Sequence, residues 1–565
     1  MGVINFIKAN CKNCYKCIRH CPVKAIRLTD HQAQIVEELC IGCGNCFRVC
    51  PQNAKHVASD VETIKGWLAR EQVVLSLAPA FPAAFDVADP FKIVGALRQL
   101  GFGIIQETAA GAEAVSACYR EDYYSDKRHV ITTSCPTVNH MVTRYYPKAV
   151  PYLSPTVSPM IAHGKILRKA WPGAKVVFAG PCISKKMEVL EDEVKGVVDA
   201  VLTFDELALW FKEAGIDVKT AEPADFDGDA CDVARFYPLA GGIEKSSLEG
   251  AAGDRHVIKI DGIENCQSFL SDIDRLEGRY WAELNACASG CVNGPGNTLC
   301  PLVRYERAER VKDYIAKTPR QSAQPPEGDF RRTFTAQPED LLAGVPEEAI
   351  EAILHQTGKF SPRDELNCGT CGYDSCREKA AAVYHGMAEL DMCLPFMRNR
   401  NEAISNLIIA STPNAIAVLD ENYNILDFNT AAENFFKVAR ADVLNKNFVK
   451  VFDYNPFEKL KNSGENSYSG RGFYARGNLH FMEILTYLPG QKMYMGIFVD
   501  ISREIKKEKM YRKMQDETLE MAQKVIDKQM RVAHEIAELL GETTAETKVT
   551  LTRLQKVVGT GEEAF

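Results

Sequence analysis

The sequence predicts a multidomain protein of mixed α/β and α+β class, on the basis of its length, apolar patterning and cysteine grouping. The chain has 565 residues, which at roughly 150 residues per domain indicates about four domains. Apolar stretches such as 73–78 and 174–180 alternate with helical patterns such as 91–102, an order typical of a mainly parallel sheet. The 20 cysteines fall into groups, with eight in 11–50 and four in 368–393.

The composition is that of ordinary globular protein, with 46% apolar and 25% charged residues. Lys and Arg number 67 against 75 Asp and Glu, which gives a net charge of -8. This balance gives no sign of the basic surface that nucleic-acid binding needs. No apolar run approaches the ~20 residues of a membrane helix, and the start lacks the apolar core of a secretory signal. We therefore expect a cytoplasmic protein without nucleic-acid or membrane partners.

Shifts in composition mark the domain boundaries. Further apolar stretches at 129–134, 199–204 and 256–261 extend the α/β region. A stretch rich in Pro and polar residues separates this region from a second cysteine cluster. The predicted domains are 1–60, 70–315, 346–397 and 400–502, with a linker at 316–345 and a helical signalling tail at 503–565.

The first sixty residues contain an internal repeat. The spacing Cys-x2-Cys-x2-Cys-x3-Cys-Pro occurs at 11–22 and again at 40–51. This is the two-cluster bacterial ferredoxin pattern, in which the fourth cysteine of each motif binds the other cluster, and two copies with proline disfavour zinc knuckles. We expect electron transfer through two 4Fe-4S clusters, one held by Cys11, Cys14, Cys17 and Cys50 and the other by Cys40, Cys43, Cys46 and Cys21.

The second cysteine cluster has the spacing Cys-x2-Cys-x4-Cys-x16-Cys. Four soft thiolates at such spacing suit zinc or a 4Fe-4S cluster, and spacing alone does not decide between them. The string 367–395 resembles a small 4Fe-4S domain found in corrinoid and electron-transport proteins. The resemblance favours iron-sulfur and implies a small helical domain with a further 4Fe-4S cluster on Cys368, Cys371, Cys376 and Cys393.

A third set of cysteines is dispersed. Cys135 and Cys182 each follow a predicted strand, where open α/β sheets place their ligands. Cys287 and Cys291 are four residues apart, so on a helical turn they would face the same side. The Gly-rich stretch 290–297 then lets the backbone approach a bulky cofactor. Each cysteine alone could be a buried apolar side chain, but four in such settings indicate a cofactor site.

Three strings carry a resemblance to a known family. TSCP at 133–136, PCISKKME at 181–188 and ELNACASGCVNGPG at 283–296 resemble the three H-cluster signatures of FeFe hydrogenases. The resemblance covers residues 1 to about 310 and implies an α/β H-cluster domain. It further implies that Lys185 donates to a cyanide ligand and that Glu188 is the signature's acid, the alternative being a surface glutamate.

The same resemblance implies the cofactor and its ligands. The H-cluster consists of a 4Fe-4S cubane and a diiron subsite with CO, cyanide and a dithiolate. The cubane would be held by four cysteines, the last of which also bridges to the diiron subsite: Cys135, Cys182, Cys287 and Cys291.

The sequence also departs from the catalytic members of that family. Ser134 stands where they have a cysteine that passes protons, and a hydroxyl is a far weaker acid than a thiol with a pKa near ~8.5. Gly180 and Asn285 stand where methionines usually flank the diiron subsite. Glu107 and Glu113 do not match the family's proton pathway and are expected to be solvated. These departures predict slow proton delivery.

The four remaining cysteines have no assigned partners. No spacing joins them to the three sets above, and buried cysteines commonly behave as small apolar residues. We predict structural thiols at Cys118, Cys231, Cys266 and Cys300.

The region 400–502 resembles a PAS domain through the string at 415–436, an apolar hairpin pattern followed by a helix start. A long amphipathic helix follows, which we expect to form a dimeric coiled coil and to end at Gly541, before a short helix at 546–558. His480 is expected to be a packing or surface residue in a domain with an apolar core. His534 faintly resembles a kinase phosphoacceptor, but a solvated helix face is the better interpretation.

The favoured function is a sensory FeFe hydrogenase. It would sense dihydrogen or redox state at the H-cluster and relay it through Fe-S clusters to the PAS domain and helix, with slow reversible reduction of protons to dihydrogen. Its expected partners are dihydrogen, protons, a redox protein such as ferredoxin, a second copy of the chain, and an unknown kinase, phosphatase or regulator. The alternatives are a catalytic ferredoxin-linked hydrogenase with a regulatory tail and a non-enzymatic Fe-S redox relay.

Overall fold

The computed structural model describes residues 3–6, 10–228, 233–318, 328–338, 344–475, 479–540 and 545–559. The chain divides into two units, Met1–Met397 and Arg398–Phe565. Both sheets and helices occur in each unit, which confirms the predicted mixed class. None of the helices in these described ranges has the length and apolar character needed to cross a membrane.

The N-terminal segment of the first unit is built from two short strand pairs and two short helices. Strand β1 pairs with β4, and β2 pairs with β3, both antiparallel. The residues before the two helices, Tyr15 and Gly44, are both left-handed with φ of 55° and 70°, so the sequence repeat is also a backbone repeat. The elements are β1 (Ile4–Phe6), α1 (Lys16–Arg19), β2 (Ile26–Thr29), β3 (Gln32–Ile35), α2 (Asn45–Arg48) and β4 (Lys55–Val57).

The α/β segment contains two parallel sheets rather than the one that the sequence predicts. Their strand orders are β6-β5-β8-β9 and β10-β11-β7, and β6 and β11 are additional to the predicted strands. The elements are α3 (Val61–Leu68), β5 (Val73–Leu77), α4 (Phe91–Gln99), β6 (Ile104–Glu107), α5 (Ala109–Tyr123), β7 (His129–Ile131), α6 (Pro136–Tyr145), α7 (Pro159–Ala170), β8 (Lys175–Gly180), α8 (Ser184–Glu188), β9 (Ala200–Thr203), α9 (Phe204–Glu213), α10 (Gly242–Leu248), β10 (His256–Asp261), α11 (Ile263–Asp272), β11 (Tyr280–Asn285) and α12 (Arg304–Lys317).

The four-stranded sheet is buried on both faces. Every residue of β5 and β9 is buried, as expected for parallel strands covered by helices on both sides. Helices α5 and α7 pack in close contact at Gly111, where a Cβ atom would lie 2.2 Å from the carbonyl oxygen of Pro159. This packing fixes the strand ends from which the site below is built.

Glu107 is not solvated, contrary to the expectation from sequence. It lies at the end of β6 with 4% exposure, and Arg235 donates to its carboxylate at 2.5 Å and 3.0 Å. The Tyr314 hydroxyl from α12 donates at 2.6 Å. The carboxylate is therefore part of a buried ion pair, because an arginine and a tyrosine from elements distant in sequence close over it. Glu113 is half-buried.

Buried His163 makes the α/β segment sensitive to acid. Its ring hydrogen-bonds Ser76 at 2.8 Å, and burial lowers the pKa of His163 to about 3. The folded-state pKa of His163 lies below the unfolded value of about 6.5, so the neutral ring favours the folded state above pH 6.5. This contribution to the free energy of unfolding, about 4–5 kcal/mol in all, is lost as the pH falls towards 3. We expect His163→Gln to flatten the pH dependence of unfolding across this range.

The pH dependence of unfolding is measured in urea with tryptophan fluorescence as the signal, since all four tryptophans lie within 67–281. The exposed His256 provides the control His256→Gln. Equal pH slopes in the two variants would contradict the prediction.

Part of the predicted linker 316–345 is bound to the α/β segment. In the described stretch 328–338, Phe330 is buried and its carbonyl accepts from the Val157 amide at 2.9 Å. Arg331 pairs with Asp122 at 2.9 Å. The stretch does not act as a free spacer here, because its aromatic and basic side chains find partners. Beyond it lie α13 (Glu347–Gln356), α14 (Cys376–Tyr384) and α15 (Leu394–Ser411).

The second unit contains the predicted hairpin within a five-stranded antiparallel sheet of order β13-β12-β16-β15-β14. Asn429 caps its first helix by accepting from the Ala432 amide. The core is largely aromatic, but it also holds Glu483, 0% exposed and paired with Lys459 at 2.6 Å. The elements are β12 (Ala415–Leu419), β13 (Ile425–Phe428), α16 (Thr430–Phe436), α17 (Arg440–Val443), α18 (Phe448–Phe452), α19 (Phe457–Ser463), β14 (Ser467–Tyr474), β15 (Leu479–Leu488), β16 (Met493–Asp500), α20 (Ser502–Leu540) and α21 (Ala545–Gly559).

The long helix and the short helix of the tail match the predicted pattern. Helix α20 has 39 residues and α21 has 15. His534 is exposed on α20, and His480 on β15 is half-buried beside Phe473. Gly541, the predicted end of the long helix, lies outside the described residues.

Candidate functional site

Both parallel sheets contribute a strand end to one cavity. Cys182 lies two residues after β8, Cys287 lies two residues after β11, and Cys135 precedes α6. All three, with Cys291, line a cavity of about 760 Å³. The carboxyl ends of parallel strands meet here, so the structure brings together the four dispersed cysteines at the place where α/β sheets bind ligands.

The four thiols are close enough to affect one another. Burial, together with the neighbouring Cys135 thiol, raises the pKa of the Cys182 thiol to about 11. Burial and the three other thiols together raise the pKa of Cys287. In the described ranges, no three Cys, His, Asp or Glu side chains converge as around a single metal ion. Four half-buried thiols around a cavity of this volume fit a multi-iron group, whose positive charge would hold them as thiolates.

Cys287 and Cys291 are not on a helical turn, contrary to the prediction. The chain between them is a tight loop in which Ser289 and Gly290 have φ of 62° and 88°. A Cβ atom on Gly290 would lie 2.4 Å from the Pro238 carbonyl oxygen, so the loop is pressed against neighbouring backbone. The turn, rather than a helix, directs both thiols into the cavity.

Ser134 and Lys185 also line the cavity, as the sequence predicts for site residues. The Ser134 hydroxyl lies 3.0 Å from the Tyr119 hydroxyl. The Lys185 ammonium donates to the Ser134 carbonyl at 3.3 Å and to Glu188 at 2.8 Å. Glu188 is 1% exposed, so the alternative of a surface glutamate is wrong. It pairs with Lys185 on helix α8.

Removing Glu188 should destabilise the α/β segment. Lys185 and Glu188 have side-chain exposures of 10% and 1%, and an unpaired buried charge costs about 3–5 kcal/mol. We expect Glu188→Ala to lower the free energy of unfolding by about 3 kcal/mol in urea, measured by tryptophan fluorescence. Glu277→Ala, an exposed carboxylate, is the control. A change below 0.5 kcal/mol, within the range of ordinary surface substitutions, would contradict the buried pairing.

The two positions that lack methionine have different surroundings. At Gly180 a Cβ atom would lie 2.7 Å from the Phe178 ring, which fills this space. Asn285 lines the cavity and donates to Glu283 at 3.0 Å. Burial raises the pKa of Glu283 to about 7. Sequence reasoning missed Glu283, although a carboxylate between Ala282 and Leu284 in a buried strand marks it as unusual.

The two ferredoxin-type cysteine sets are each brought together. The Cys21 thiol raises the pKa of both Cys43 and Cys46, which shows that Cys21 lies with the second motif. This is the crossed grouping that the repeat predicts. The other set lines a separate small pocket: Cys11, Cys14, Cys17 and Cys50.

The cysteines at 368–393 gather around two lysines. The Lys359 ammonium donates to the Cys393 thiol at 3.4 Å. Burial lowers the pKa of Lys379, while three thiols, those of Cys393, Cys371 and Cys376, oppose the shift. The lysines were not predicted as site residues, because nothing in their spacing relates them to the cysteines.

Three of the four cysteines predicted to be structural are buried. Cys118, Cys266 and Cys300 have exposures of 9%, 0% and 8%. The Cys266 thiol donates to the Asn285 carbonyl at 3.6 Å. Cys231 lies outside the described residues.

Four segments match models of known protein families. Residues 71–295 match the iron only hydrogenase large subunit, C-terminal domain, and residues 10–54 match a 4Fe-4S dicluster domain. Residues 364–395 match an Fe-S cluster family, and residues 405–471 match the PAS fold. The matches follow one another along the chain in the order that the sequence predicts.

Individual relatives cover mainly the first half of the chain. It is 26% identical over 366 residues to the periplasmic Fe hydrogenase large subunit of Nitratidesulfovibrio vulgaris, covering 52% of this chain and 86% of the relative. It is 25% identical over 209 residues to a cytosolic Fe-S cluster assembly factor of Encephalitozoon cuniculi, covering 32% of this chain and 56%, about half, of that relative.

A solved structure of an apo FeFe-hydrogenase from Chlamydomonas reinhardtii has 18% identity and a TM-score of 0.40, covering 49% of this chain and 99% of that one. The family models, with their matched residues, identify the parts. The chain thus carries an iron-only hydrogenase large-subunit domain behind a dicluster 4Fe-4S domain, and an Fe-S domain and a PAS domain follow it.

Proposed function

We propose that this chain is a sensory FeFe hydrogenase that responds to dihydrogen or redox state and turns over slowly. The observation that carries the proposal is Ser134, a hydroxyl at the cavity where fast proton transfer would need a stronger acid. The PAS match at 405–471 supports a signalling role. When bound, an H-cluster supplies the reversible conversion of dihydrogen to protons and electrons.

Four cysteines would hold that group, and the side chains around them would orient it. Lys185 presents an ammonium to the cavity and is anchored by Glu188, which suits an anionic ligand such as cyanide. Asn285 adds an amide at the cavity wall. The holding set is Cys135, Cys182, Cys287 and Cys291.

Proton movement at the cavity would depend on two hydroxyls. Ser134 hydrogen-bonds Tyr119, and burial raises the pKa of Tyr119 to about 12. A phenol with so high a pKa does not release a proton readily near neutral pH. These hydroxyls can orient a hydrogen bond, but they deliver protons slowly, which favours sensing over turnover.

The further cysteine sets suit electron exchange with a redox protein such as ferredoxin. The ferredoxin-type sets and the set at 368–393 would each hold a 4Fe-4S cluster. Thiolates in these partly buried groups bind iron-sulfur clusters, and their hydrogen bonds and burial set the potentials.

Output would pass through the second unit to helix α20. Exposed apolar side chains follow a heptad-like spacing along it, at Tyr511, Met514, Met521, Val525 and Val532. Such a stripe supports pairing with a second copy of the chain. A kinase, phosphatase or regulator would then read the helix.

Infrared spectroscopy tests the cofactor part of the proposal. The full chain is expressed with hydrogenase maturation proteins, and the CO and cyanide region is recorded under argon and under dihydrogen. We expect bands that shift with dihydrogen. A chain without bands, in cells where a control hydrogenase matures, would contradict the proposal.

That contrary result would favour a second function, a non-enzymatic Fe-S protein whose four cavity cysteines hold only a cubane. The similarity to a cytosolic Fe-S cluster assembly factor is the observation that favours it. Cluster analysis of the same preparation would then find iron and sulfide without CO or cyanide.

A further inference from the structure

The cysteine set at 368–393 contains two buried ammonium groups. Lys359 is 8% exposed and Lys379 is 4% exposed. Lys359 donates to the Cys393 thiol at 3.4 Å, and Lys379 donates to the Leu390 carbonyl at 3.0 Å. Lysines are almost never buried unless paired with an opposite charge. The neutral carbonyls and thiols around them do not supply that charge, whereas four thiolates around a bound iron-sulfur core would give the site a net negative charge.

The N-terminal segment 3–57, here the ferredoxin-type segment, has fewer buried ammonium groups around its cysteines. Lys24 and Arg144 act on Cys21 and Cys40, but both cations are half-buried and therefore partly screened by water. Among the described residues of 3–57, Lys55 is the buried lysine, and it lies beside Cys17 and Cys50. Two cysteine sets therefore share one buried ammonium, whereas the set at 368–393 has two of its own. Positive charge stabilises the more negative, reduced form of a cluster, and two charges stabilise it more than one.

The segment 344–397 is docked on the ferredoxin-type segment. The Leu28 amide donates to the Met387 carbonyl at 3.0 Å, a backbone bond that joins the two. His31 contacts Glu389 at 3.2 Å. Gly372, with φ of 98°, lies so close that a Cβ atom would be 2.9 Å from Ile18. The two cysteine-bearing segments therefore share one buried interface.

Tyr373 lies within this interface, between two cysteine sets. Its side chain is 2% exposed, and its hydroxyl has no hydrogen-bond partner among the described residues. The thiols of Cys371 and Cys21 both act on it. An unpaired buried hydroxyl is costly, and a cluster sulfur on either side would accept its hydrogen bond. The phenol thus lies between the Cys21 site and the set at 368–393.

We propose that the cysteine set at 368–393 is the electron-accepting end of the chain, filled from the Cys21 site across Tyr373 and held reduced by Lys359 and Lys379. One electron leaves the donor site, which is oxidised, and enters the acceptor site, which is reduced, and no bond or proton changes. The electron originates from a low-potential one-electron donor such as reduced ferredoxin. The inference rests on the proposed Fe-S occupancy, but it does not require the diiron subsite.

An EPR-monitored redox titration of the full chain tests the proposal. The protein carries its 4Fe-4S clusters but is prepared without maturation proteins, and dithionite is the reductant. A Cys376→Ser variant identifies the signal of the set at 368–393. We expect this signal to appear first on reduction. If it appears last in the native chain, the proposal is overturned, whatever the infrared experiment finds.

Lysine variants test the cause of that order. At a fixed potential we expect Lys379→Met and Lys359→Met each to lower the ratio of reduced to oxidised cluster at this set about tenfold, which is 59 mV for a one-electron couple. Lys379→Arg should retain the native ratio. Arg363→Met, an exposed cation on the same segment, is the matched control. Iron content is measured for every variant, and native ratios in both methionine variants with full iron content would overturn the role of the lysines.

Discussion

Replacing Ser134 with cysteine is expected to raise dihydrogen turnover at least tenfold. A thiol with a pKa near ~8.5 can donate and accept protons at neutral pH, and a positioned general acid typically contributes 10²–10⁴-fold. The new side chain faces the same cavity and the same Tyr119 hydroxyl. We place the gain at the lower end because Tyr119 is a weak acid and still limits onward transfer. Turnover is measured with a dye acceptor in matured protein.

Ser134→Ala is the matched control, since it removes the hydroxyl without adding an acid. Its turnover should stay within about twofold of the native value if the hydroxyl delivers few protons. A cysteine variant no faster than the native chain would mean that another proton route operates. The catalytic hydrogenase with a regulatory tail would then be the better description.

Gly372→Val is expected to detach the segment 344–397 from the ferredoxin-type segment. The new side chain would meet Ile18 at 2.9 Å and the Arg19 amide nitrogen at 3.1 Å, in a backbone conformation that favours glycine. Overpacking of this kind costs about 1–3 kcal/mol, and the φ of 98° adds strain. In the fully reduced native chain we expect magnetic coupling between the clusters of the two segments. In Gly372→Val this coupling should be lost, and EPR should show an isolated cluster signal in its place.

The control is Gly386→Val on the same segment. Gly386 also has a positive φ, 69°, but no atom lies within 4 Å of a Cβ placed there. It therefore introduces the backbone strain without the clash, and coupling should persist. Coupling that persists equally in Gly372→Val would show that the interface tolerates the side chain and that docking does not depend on this contact.

The sequence predicted the grouping of the cysteines well because the spacing of cysteines along the chain indicates which of them share a site. The repeat placed Cys21 with the second motif, and the structure groups it with Cys43 and Cys46. Cys135 and Cys182 were located by the strands before them, since a parallel strand delivers its carboxyl end to a common edge. The roles of these cysteines as ligands, and the domain boundaries, stay predictions.

Sequence reasoning failed where partners are distant along the chain. Glu107 was expected to be solvated, but Arg235 and Tyr314 approach it from later elements. The burial of Glu188 and of Lys379 likewise depends on tertiary packing that no periodicity encodes. Such buried polar groups are specified by the assembled fold rather than by neighbours in sequence.

Hydrogen exchange of helix α20 tests the sensory claim most directly. The full chain, matured and unmatured, is exchanged under argon and under dihydrogen, and peptides covering 502–540 are compared. We predict that dihydrogen changes the exchange of these peptides in matured protein and leaves the unmatured chain unaffected. Identical exchange under both gases, in matured protein whose infrared bands shift with dihydrogen, would contradict the proposal that this chain is a sensor.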